Sequence, residues 1–249
     1  MQRRKLIAGN WKMNGVRGDL PAIGEIALAA ASYPGIDVAL GLPFTLIEAA
    51  VAAAPGLPIG AQDCHEADSG AHTGCISAKM LKDIGARLVI VGHSERRADQ
   101  HETSQDAWAK ATAAHRNGLS AILCCGETEA ERDAGRAERV VQAQIEKSLP
   151  ETAAGGWLTL AYEPRWAIGT GRTPTLDEIA SIHAIARAKM RSLVGDAADG
   201  IRILYGGSVT GGNAGAILAV EHVDGALVGG ASLTAAKFVP ILEAAARSS

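Results

Sequence analysis

Aromatic residues are scarce in this chain: they make up 4% of its 249 residues, whereas hydrophobic residues of all kinds make up 47%. This balance favours many helices packed on a sheet of small residues. No apolar run approaches the roughly 18 residues of a membrane-spanning helix. The few apolar positions that follow the basic N-terminus are also too short for a secretory signal. We therefore expect a cytoplasmic protein with no membrane partner.

The chain also lacks a charge excess and a metal-binding cysteine pattern. Its formal net charge of −3 gives no reason to expect a nucleic-acid partner. The four cysteines (Cys64, Cys75, Cys124 and Cys125) contain no CxxC pair. The adjacent pair would point to opposite faces of a strand. We predict no metal site and reduced thiols.

Short apolar runs alternate with helical patterns along the whole chain. The runs predict strands at 5–9, 36–41, 58–61, 87–91, 120–124, 157–162, 201–205 and 225–228. Helical patterns cover 20–31, 104–117, 137–148 and 176–193, and a capping box precedes the last of them. Such alternation is typical of a parallel sheet. Eight repeats in about 250 residues favour a closed (β/α)8 barrel in a single domain, 1–249. An open doubly wound sheet is the alternative, but no GxGxxG follows the first run.

A glutamate stands at the end of the sixth predicted strand. Glu163 is followed by Pro164 and by a tryptophan-bearing stretch with Gly169 and Gly171. In barrels the carboxyl ends of the strands carry the functional residues, so this carboxylate is a candidate base beneath a lid. A lone Glu-Pro is more often a solvated loop glutamate, and the residues at the other strand ends must decide between these interpretations.

Glycine-rich turns follow the seventh and eighth predicted strands. Gly206 and Gly207 precede Ser208, and Gly229 and Gly230 lead into a helical pattern. Loops at these two positions form a common phosphate site in barrels, because glycine lets backbone N–H groups approach a ligand. The alternative is that the glycines only permit tight turns. Their occurrence at both strands favours phosphate.

Two more strand ends carry polar residues suited to the same chemistry. Asn10 and Lys12 follow the first strand, where the lysine would form a Schiff base or act as a fixed cation. His93 follows the fourth strand at the start of a helical turn, whose dipole disfavours an imidazolium. A neutral His93 would donate a hydrogen bond. With Glu163 and the cation, it suits proton abstraction next to a carbonyl.

The motifs together resemble the triosephosphate isomerase family over essentially the whole chain and in the family's order. They are GNWKMN (9–14), GAQ (60–62), GHSERR (92–97), CCGE (124–127), AYEPRWAIGTG (161–171, apart from Arg165), YGGSV (205–209) and LVGGASL (227–233).

The resemblance implies a role for each matching residue. Glu163 would move a proton between C1 and C2 of a triose phosphate while His93 polarises the carbonyl. Lys12 and Asn10 would stabilise the developing negative charge, and Glu95 would support them. The phosphate would be bound by Gly169, Ser208, Gly229 and Gly230, under a lid at 164–173. The reaction belongs to glycolysis and gluconeogenesis and needs no metal or organic cofactor.

The resemblance also implies a homodimer, in which the loop at about 66–75, with Thr73 near its tip, enters the neighbouring subunit. Four residues depart from the family pattern. Arg165 stands where the first lid hinge is usually apolar, so its side chain must reach water or a carboxylate. Cys75 replaces a glutamate that usually pairs with the arginine matching Arg96. His72 replaces an aromatic residue, and Asp63 an asparagine.

Three other functions remain open on the sequence alone. An isomerase of a four-carbon ketose phosphate would keep the same base and phosphate site. An aldolase would use Lys12 to form a Schiff base. A phosphate-binding barrel without activity would also retain the fold, although the complete set of Asn10, Lys12, His93 and Glu163 argues against it.

Overall fold

The computed structural model describes residues 3–167 and 172–248. Eight parallel strands close into a barrel in sequence order, with the last strand pairing to the first. The strands are β1 (Leu6–Asn10), β2 (Asp37–Leu42), β3 (Ile59–Ala61), β4 (Leu88–Val91), β5 (Ser120–Cys125), β6 (Leu158–Tyr162), β7 (Arg202–Tyr205) and β8 (Gly225–Val228). The closed barrel is confirmed, and the open doubly wound alternative is wrong.

Helices lie between the strands. In the described residues they are α1 (Leu20–Ala31), α2 (Phe44–Ala53), α3 (Ala78–Asp83), α4 (Ser94–Asp99), α5 (Ser104–Arg116), α6 (Glu129–Asp133), α7 (Ala137–Ser148), α8 (Leu176–Val194), α9 (Ala214–Leu218) and α10 (Ala235–Arg247). The predicted strands and the four predicted helices agree with the observed ones to within one residue at each end. The predicted capping box of α8 is also present: Thr175 Oγ1 accepts from the Glu178 N–H at 3.2 Å, and Glu178 Oε2 from the Thr175 N–H at 2.7 Å.

The core has two layers because successive side chains of a strand face opposite sides. The inner layer fills the barrel with small and aliphatic side chains. The outer layer packs the strands against the helices. Adjacent Cys124 and Cys125 belong to the inner and outer layers respectively, as the alternation predicts.

All eight strands run the same way, so their carboxyl ends form one mouth. Asn10 ends β1 there, Glu163 follows β6, and His93 comes two residues after β4. Ser208 and Gly229 follow β7 and β8. Residues separated by more than 200 positions in the chain are thereby brought to one face of the molecule.

The outer layer sets the stability of this frame. Leu40 on β2 is fully buried, whereas Leu28 on α1 is 77% exposed. We expect Leu40→Ala to lower the free energy of unfolding by about 2–5 kcal/mol, because it removes buried methyl groups and leaves a cavity. The matched Leu28→Ala should change it by no more than about 0.5 kcal/mol. Urea denaturation measures both, and equal losses would contradict the layer assignment.

Candidate active site

Glu163 is held at the mouth by close backbone packing. Its N–H donates to the Cys125 carbonyl at 2.7 Å, which extends the β5–β6 ladder by one bond. A Cβ at Gly126 would lie 1.8 Å from the Glu163 carbonyl oxygen, and one at Gly206 would lie 2.9 Å from Glu163 Cγ. Glycine is required at Gly126 and favoured at Gly206, because the chain passes so close to this residue. Glu163 is therefore fixed between its neighbours and only 2% exposed, which excludes the solvated loop glutamate.

The Glu163 carboxylate has a partner for each oxygen. Oε1 lies 2.8 Å from His93 Nε2, and Oε2 accepts from the Ser94 N–H at 2.9 Å. Burial by itself raises the pKa of Glu163, but His93, the Ser94 N–H and the charge of Lys12 outweigh it, and the pKa lies below its ordinary value. A buried carboxylate is thus kept ionised, as a general base must be.

His93 precedes α4 and is 5% exposed. Its Nδ1 accepts from the Glu95 N–H at 3.3 Å, so the proton of the neutral ring lies on Nε2, facing Glu163. Burial lowers the pKa of His93, but the Glu163 carboxylate raises it and prevails. The Glu95 N–H that donates to Nδ1 favours the neutral ring that the sequence predicts, while the Glu163 carboxylate favours the protonated ring. Neutrality of His93 during the reaction stays a prediction.

Lys12 has an unusual backbone. Its φ of +54° lies in the left-handed region, which costs of order 1 kcal/mol for a residue other than glycine. Two side chains hold it there: Asn10 Oδ1 accepts from its N–H at 3.0 Å, and Gln62 Nε2 donates to its carbonyl at 2.9 Å. Its Nζ forms an ion pair with Glu95 Oε1 at 2.7 Å. This is the arrangement of a fixed cation rather than of a desolvated Schiff-base amine.

The two glycines after β8, Gly229 and Gly230, border space that is almost free of protein atoms. A Cβ at Gly230 would meet no atom within 4 Å, and one at Gly229 would meet only Lys12 Cε, at 3.6 Å. Packing therefore does not require glycine at either position. Gly230 begins a short 3-10 turn, Gly230–Ser232, beside Ser208. The free space and the exposed backbone suit a ligand anion.

One cavity of about 270 Å³ joins most of the predicted site residues. Its walls include Asn10, Lys12, His93, Glu163, Ser208, Gly229 and Gly230. Glu95 lines an adjoining cavity of about 340 Å³, which shares Asn10, Lys12 and His93 with the first. Gly169 lies outside the described residues, so its predicted role is not addressed by the geometry.

Two supporting residues were missed as functional candidates. Glu127 is fully buried below the predicted lid hinge, where its Oε1 accepts from Trp166 Nε1 at 2.9 Å and from the Tyr162 hydroxyl at 3.1 Å. It comes two residues after β5, so the same strand-end rule that selects Glu163 would have found it. Gln62 follows β3 in the same way. Both hold site residues in place rather than lining the 270 Å³ cavity.

Two of the departures from the family pattern have a structural account. Arg96 pairs with Asp63 at 2.8 Å and with Glu102 at 2.8 Å, both in its own chain, so its charge is compensated although Cys75 is not a glutamate. Arg165 is partly exposed, which agrees with the expectation that its side chain reaches water. Its N–H donates to the Glu127 carbonyl at 3.1 Å.

The described ranges contain no candidate for a metal cluster or a membrane span. No group of three or more His, Cys, Asp or Glu side chains among residues 3–167 and 172–248 could hold a metal ion. No helix in the same ranges is long and apolar enough to cross a membrane.

Comparison with known proteins gives a family match over nearly the whole chain. The model of the family described as triosephosphate isomerase matches residues 5–245. Triosephosphate isomerase of Xanthobacter flavus is 54% identical over 247 residues, covering 98% of each chain. That of Jannaschia sp. is 55% identical over 247 residues, covering 97% of this chain and 98% of its own. The crystal structure of triosephosphate isomerase from Bartonella henselae is 42% identical, with a TM-score of 0.91 and coverage of 97% and 98%.

The pKa of His93 should depend on the carboxylate beside it. In Glu163→Gln the raising influence is removed while burial remains, so we expect the His93 pKa to fall. Nitrogen chemical shifts of the ring, followed against pH, measure this change. The buried His183 ring, whose pKa burial lowers to about 4, should be unaffected and is the internal control. An unchanged or higher His93 pKa in the variant would contradict the electrostatic account.

Proposed function

We propose a set of residue roles for this chain, which belongs to the triosephosphate isomerase family and is an aldose–ketose isomerase that interconverts glyceraldehyde 3-phosphate and dihydroxyacetone phosphate. The observation that carries the proposal is the contact of 2.8 Å between the buried Glu163 carboxylate and His93 Nε2 at the wall of the cavity. A base and a hydrogen-bond donor are thereby adjacent where a carbonyl and its neighbouring carbon would lie.

Glu163 is the proton carrier in this mechanism. Its carboxylate removes a proton from the carbon next to the substrate carbonyl, which gives an enediolate and a neutral carboxylic acid. The acid then returns the proton to the neighbouring carbon. Both contacts of the carboxylate, with His93 and the Ser94 N–H, involve hydrogen-bond donors, so the base is ionised before the substrate binds.

The negative charge of the enediolate requires donors that are already in place. His93 Nε2–H is directed at the carbonyl oxygen and moves protons between the two oxygens. Lys12 supplies positive charge, and Asn10 both lines the cavity and holds the Lys12 backbone. Glu95 orients the Lys12 ammonium through their ion pair of 2.7 Å. Each step is a proton transfer between side chain and substrate, and no cofactor takes part.

The phosphate of the substrate is assigned to the glycine-rich end of the cavity. Ser208, Gly229 and Gly230 border open space there, and a backbone N–H in such a turn binds an anion. By the family resemblance, Gly169 contributes a further N–H from the lid. Lys12 Cε would lie 3.6 Å from a Cβ at Gly229, and the charge of Lys12 also lowers the pKa of Glu163, so this charge acts on both the phosphate and the enediolate.

The comparisons give no support to the four-carbon alternative, since the curated relatives and the solved structure named above are all described as triosephosphate isomerases. The Schiff-base alternative is disfavoured by the ion pair of Lys12. Steady-state kinetics with glyceraldehyde 3-phosphate test the activity directly. We expect kcat/KM within the general enzyme range of about 10⁴–10⁸ M⁻¹s⁻¹, and a value far below it would overturn the assignment.

Shortening the base should impair the chemistry selectively. Glu163→Asp withdraws the carboxylate by one methylene, about 1 Å, and a displacement of that size can lower the rate about 100-fold. We expect kcat to fall by about that factor while inorganic phosphate inhibits with nearly unchanged affinity. Glu221→Asp, at a residue that is 87% exposed on its side chain, is the matched control and should retain full kcat. Retained kcat in Glu163→Asp would show that another group is the base.

We extend the proposal to a homodimer formed through the loop at 66–75. Residues 69–75 are exposed throughout, while the base of the loop is anchored by Asp68, which accepts from Arg116 at 2.9 Å and from Asn117 at 2.8 Å. The 340 Å³ cavity beside the site is bordered by Met13, which is 96% exposed, and by Phe44. An exposed loop and an open cavity with an uncovered apolar rim support a reciprocal contact between two copies.

The dimer can be tested at the tip of the loop. Thr73→Arg would add a long charged side chain to the proposed contact, and the carboxylates of the facing cavity, Glu95 and Asp63, are already paired with Lys12 and Arg96. The added charge would be buried without a partner, so we expect the variant to yield monomers with reduced kcat. Size-exclusion chromatography with light scattering measures the mass. Thr152→Arg makes the same substitution at an exposed threonine elsewhere and should remain dimeric. A monomeric native chain, or a dimeric Thr73→Arg, would contradict the proposal.

A cytoplasmic location also belongs to the proposal. Cys75 is exposed with a free thiol, and reduced exposed thiols are the rule in that compartment. Fractionation of cells that produce the protein would place it in the soluble cytoplasmic fraction, and recovery from an exported fraction would contradict this location.

A further inference from the structure

Four charged side chains close a ring of ion pairs beside the active site, where two of them line the 340 Å³ cavity. This charge ring consists of Asp63, Arg96, Glu102 and Lys110. Asp63 lies 2.8 Å from Arg96 and 2.7 Å from Lys110, and Glu102 lies 2.8 Å and 2.7 Å from the same two cations. Each carboxylate therefore bridges both cations, and the ring is balanced in charge.

The ring connects three parts of the barrel that are separate in the chain. Asp63 follows β3, Arg96 lies within α4, and Lys110 lies within α5. Glu102 stands between α4 and α5 and is buried. Among the six residues of α4 only Ser94 is buried, so these ion pairs, together with the hydrogen bonds of Arg97 to the Gly92 and Cys124 carbonyls, restrain its orientation.

The orientation of α4 determines the geometry of the base. Its first residue, Ser94, donates its N–H to Glu163 at 2.9 Å, and His93 precedes it. The charge ring also contacts the backbone just before His93, because Glu102 Oε1 accepts from the Gly92 N–H at 3.0 Å. Arg96 lies two residues after Ser94 in the same helix, so a rotation of α4 would move the Ser94 N–H that faces Glu163.

Asp63 is also adjacent to the support of the catalytic lysine. The preceding residue, Gln62, donates to the carbonyls of Lys12 at 2.9 Å and of Gly41 at 3.0 Å. Two neighbouring side chains therefore hold two parts of the site. Gln62 holds the strained Lys12 backbone, and Asp63 holds α4 through Arg96.

We propose that Asp63 is a positioning residue for the isomerase reaction: by clamping Arg96 and Lys110 it sets the orientation of α4, and through α4 the placement of His93 and the Ser94 N–H against Glu163. This inference rests on the proposed function. Without the Asp63 carboxylate, Arg96 keeps a single carboxylate, Glu102, so one of the restraints on α4 is lost. Glu102 would then face two cations alone.

The competing account is that the ring only stabilises the fold. It predicts that loss of activity follows loss of stability, whereas the positioning account predicts loss of kcat in a folded protein. The phosphate end of the cavity lies at β7 and β8, away from the ring. KM for glyceraldehyde 3-phosphate should therefore change little while kcat falls.

The first test compares Asp63→Asn with Asp37→Asn. Asp37 also bridges two cations, Arg4 at 3.0 Å and Arg202 at 2.7 Å, but on β2 at the opposite end of the barrel. We expect Asp63→Asn to lower kcat about tenfold or more with KM within about twofold, since small displacements of reacting groups are costly. The amide signal of Ser94 should also shift. Asp37→Asn should lower the melting temperature while leaving kcat and the Ser94 signal unchanged.

The second test restores the charge balance. In Asp63→Asn/Lys110→Met one cation and one carboxylate remain, which recovers a balanced pair if Asp63→Asn alone is unstable. The proposal requires kcat to stay low in this double variant although its stability recovers. Recovery of kcat together with stability would overturn the proposal. A kcat of Asp63→Asn that rises to the native value with protein concentration would also overturn it, because the carboxylate would then act through assembly.

If the native protein were inactive on the triose, the proposed function itself would fail. If only Asp63→Asn retained full kcat, the inference alone would fail.

Discussion

The structure depends on the need to keep one carboxylate ionised out of water. A buried charge without partners costs several kcal/mol and would be neutralised by protonation. Glu163 avoids this because His93 and the Ser94 N–H lie on its two oxygens and Lys12 lies nearby. Both hydrogen-bonding groups come from the start of α4. The position of that short helix therefore determines whether the buried Glu163 carboxylate stays ionised.

The barrel provides what a single helix or loop cannot, namely convergence of groups from distant parts of the chain at one rigid mouth. The rigidity is visible in the backbone. Gly126 permits a close approach that fixes Glu163, and Asn10 and Gln62 hold Lys12 at a φ of +54°. Strain of this kind persists only where surrounding contacts hold the residue in place, and here it is located at a residue that lines the cavity.

The sequence alone predicts the strands, the closed barrel and most of the site, because each depends on local patterns. Apolar runs bounded by glycine mark the strands, and the strand-end rule then selects residues such as Glu163 and His93. The ion pairs were not predictable in this way. Nothing in the spacing of Asp63, Arg96, Glu102 and Lys110 shows that they meet, since their contacts depend on how β3, α4 and α5 pack. Glu127 obeyed the strand-end rule, yet its function is support, which only contacts reveal.

The unoccupied space around Gly229 and Gly230 has a consequence for how such a protein can evolve. A Cβ added at Gly230, which lines the cavity, would meet no atom within 4 Å, whereas one at Gly126 would collide with the backbone of Glu163. Substrate size and folding are therefore governed by different glycines in the same mouth. Substitution of a glycine such as Gly230 can change which ligands the cavity admits. A glycine such as Gly126 must stay unchanged to preserve the fold.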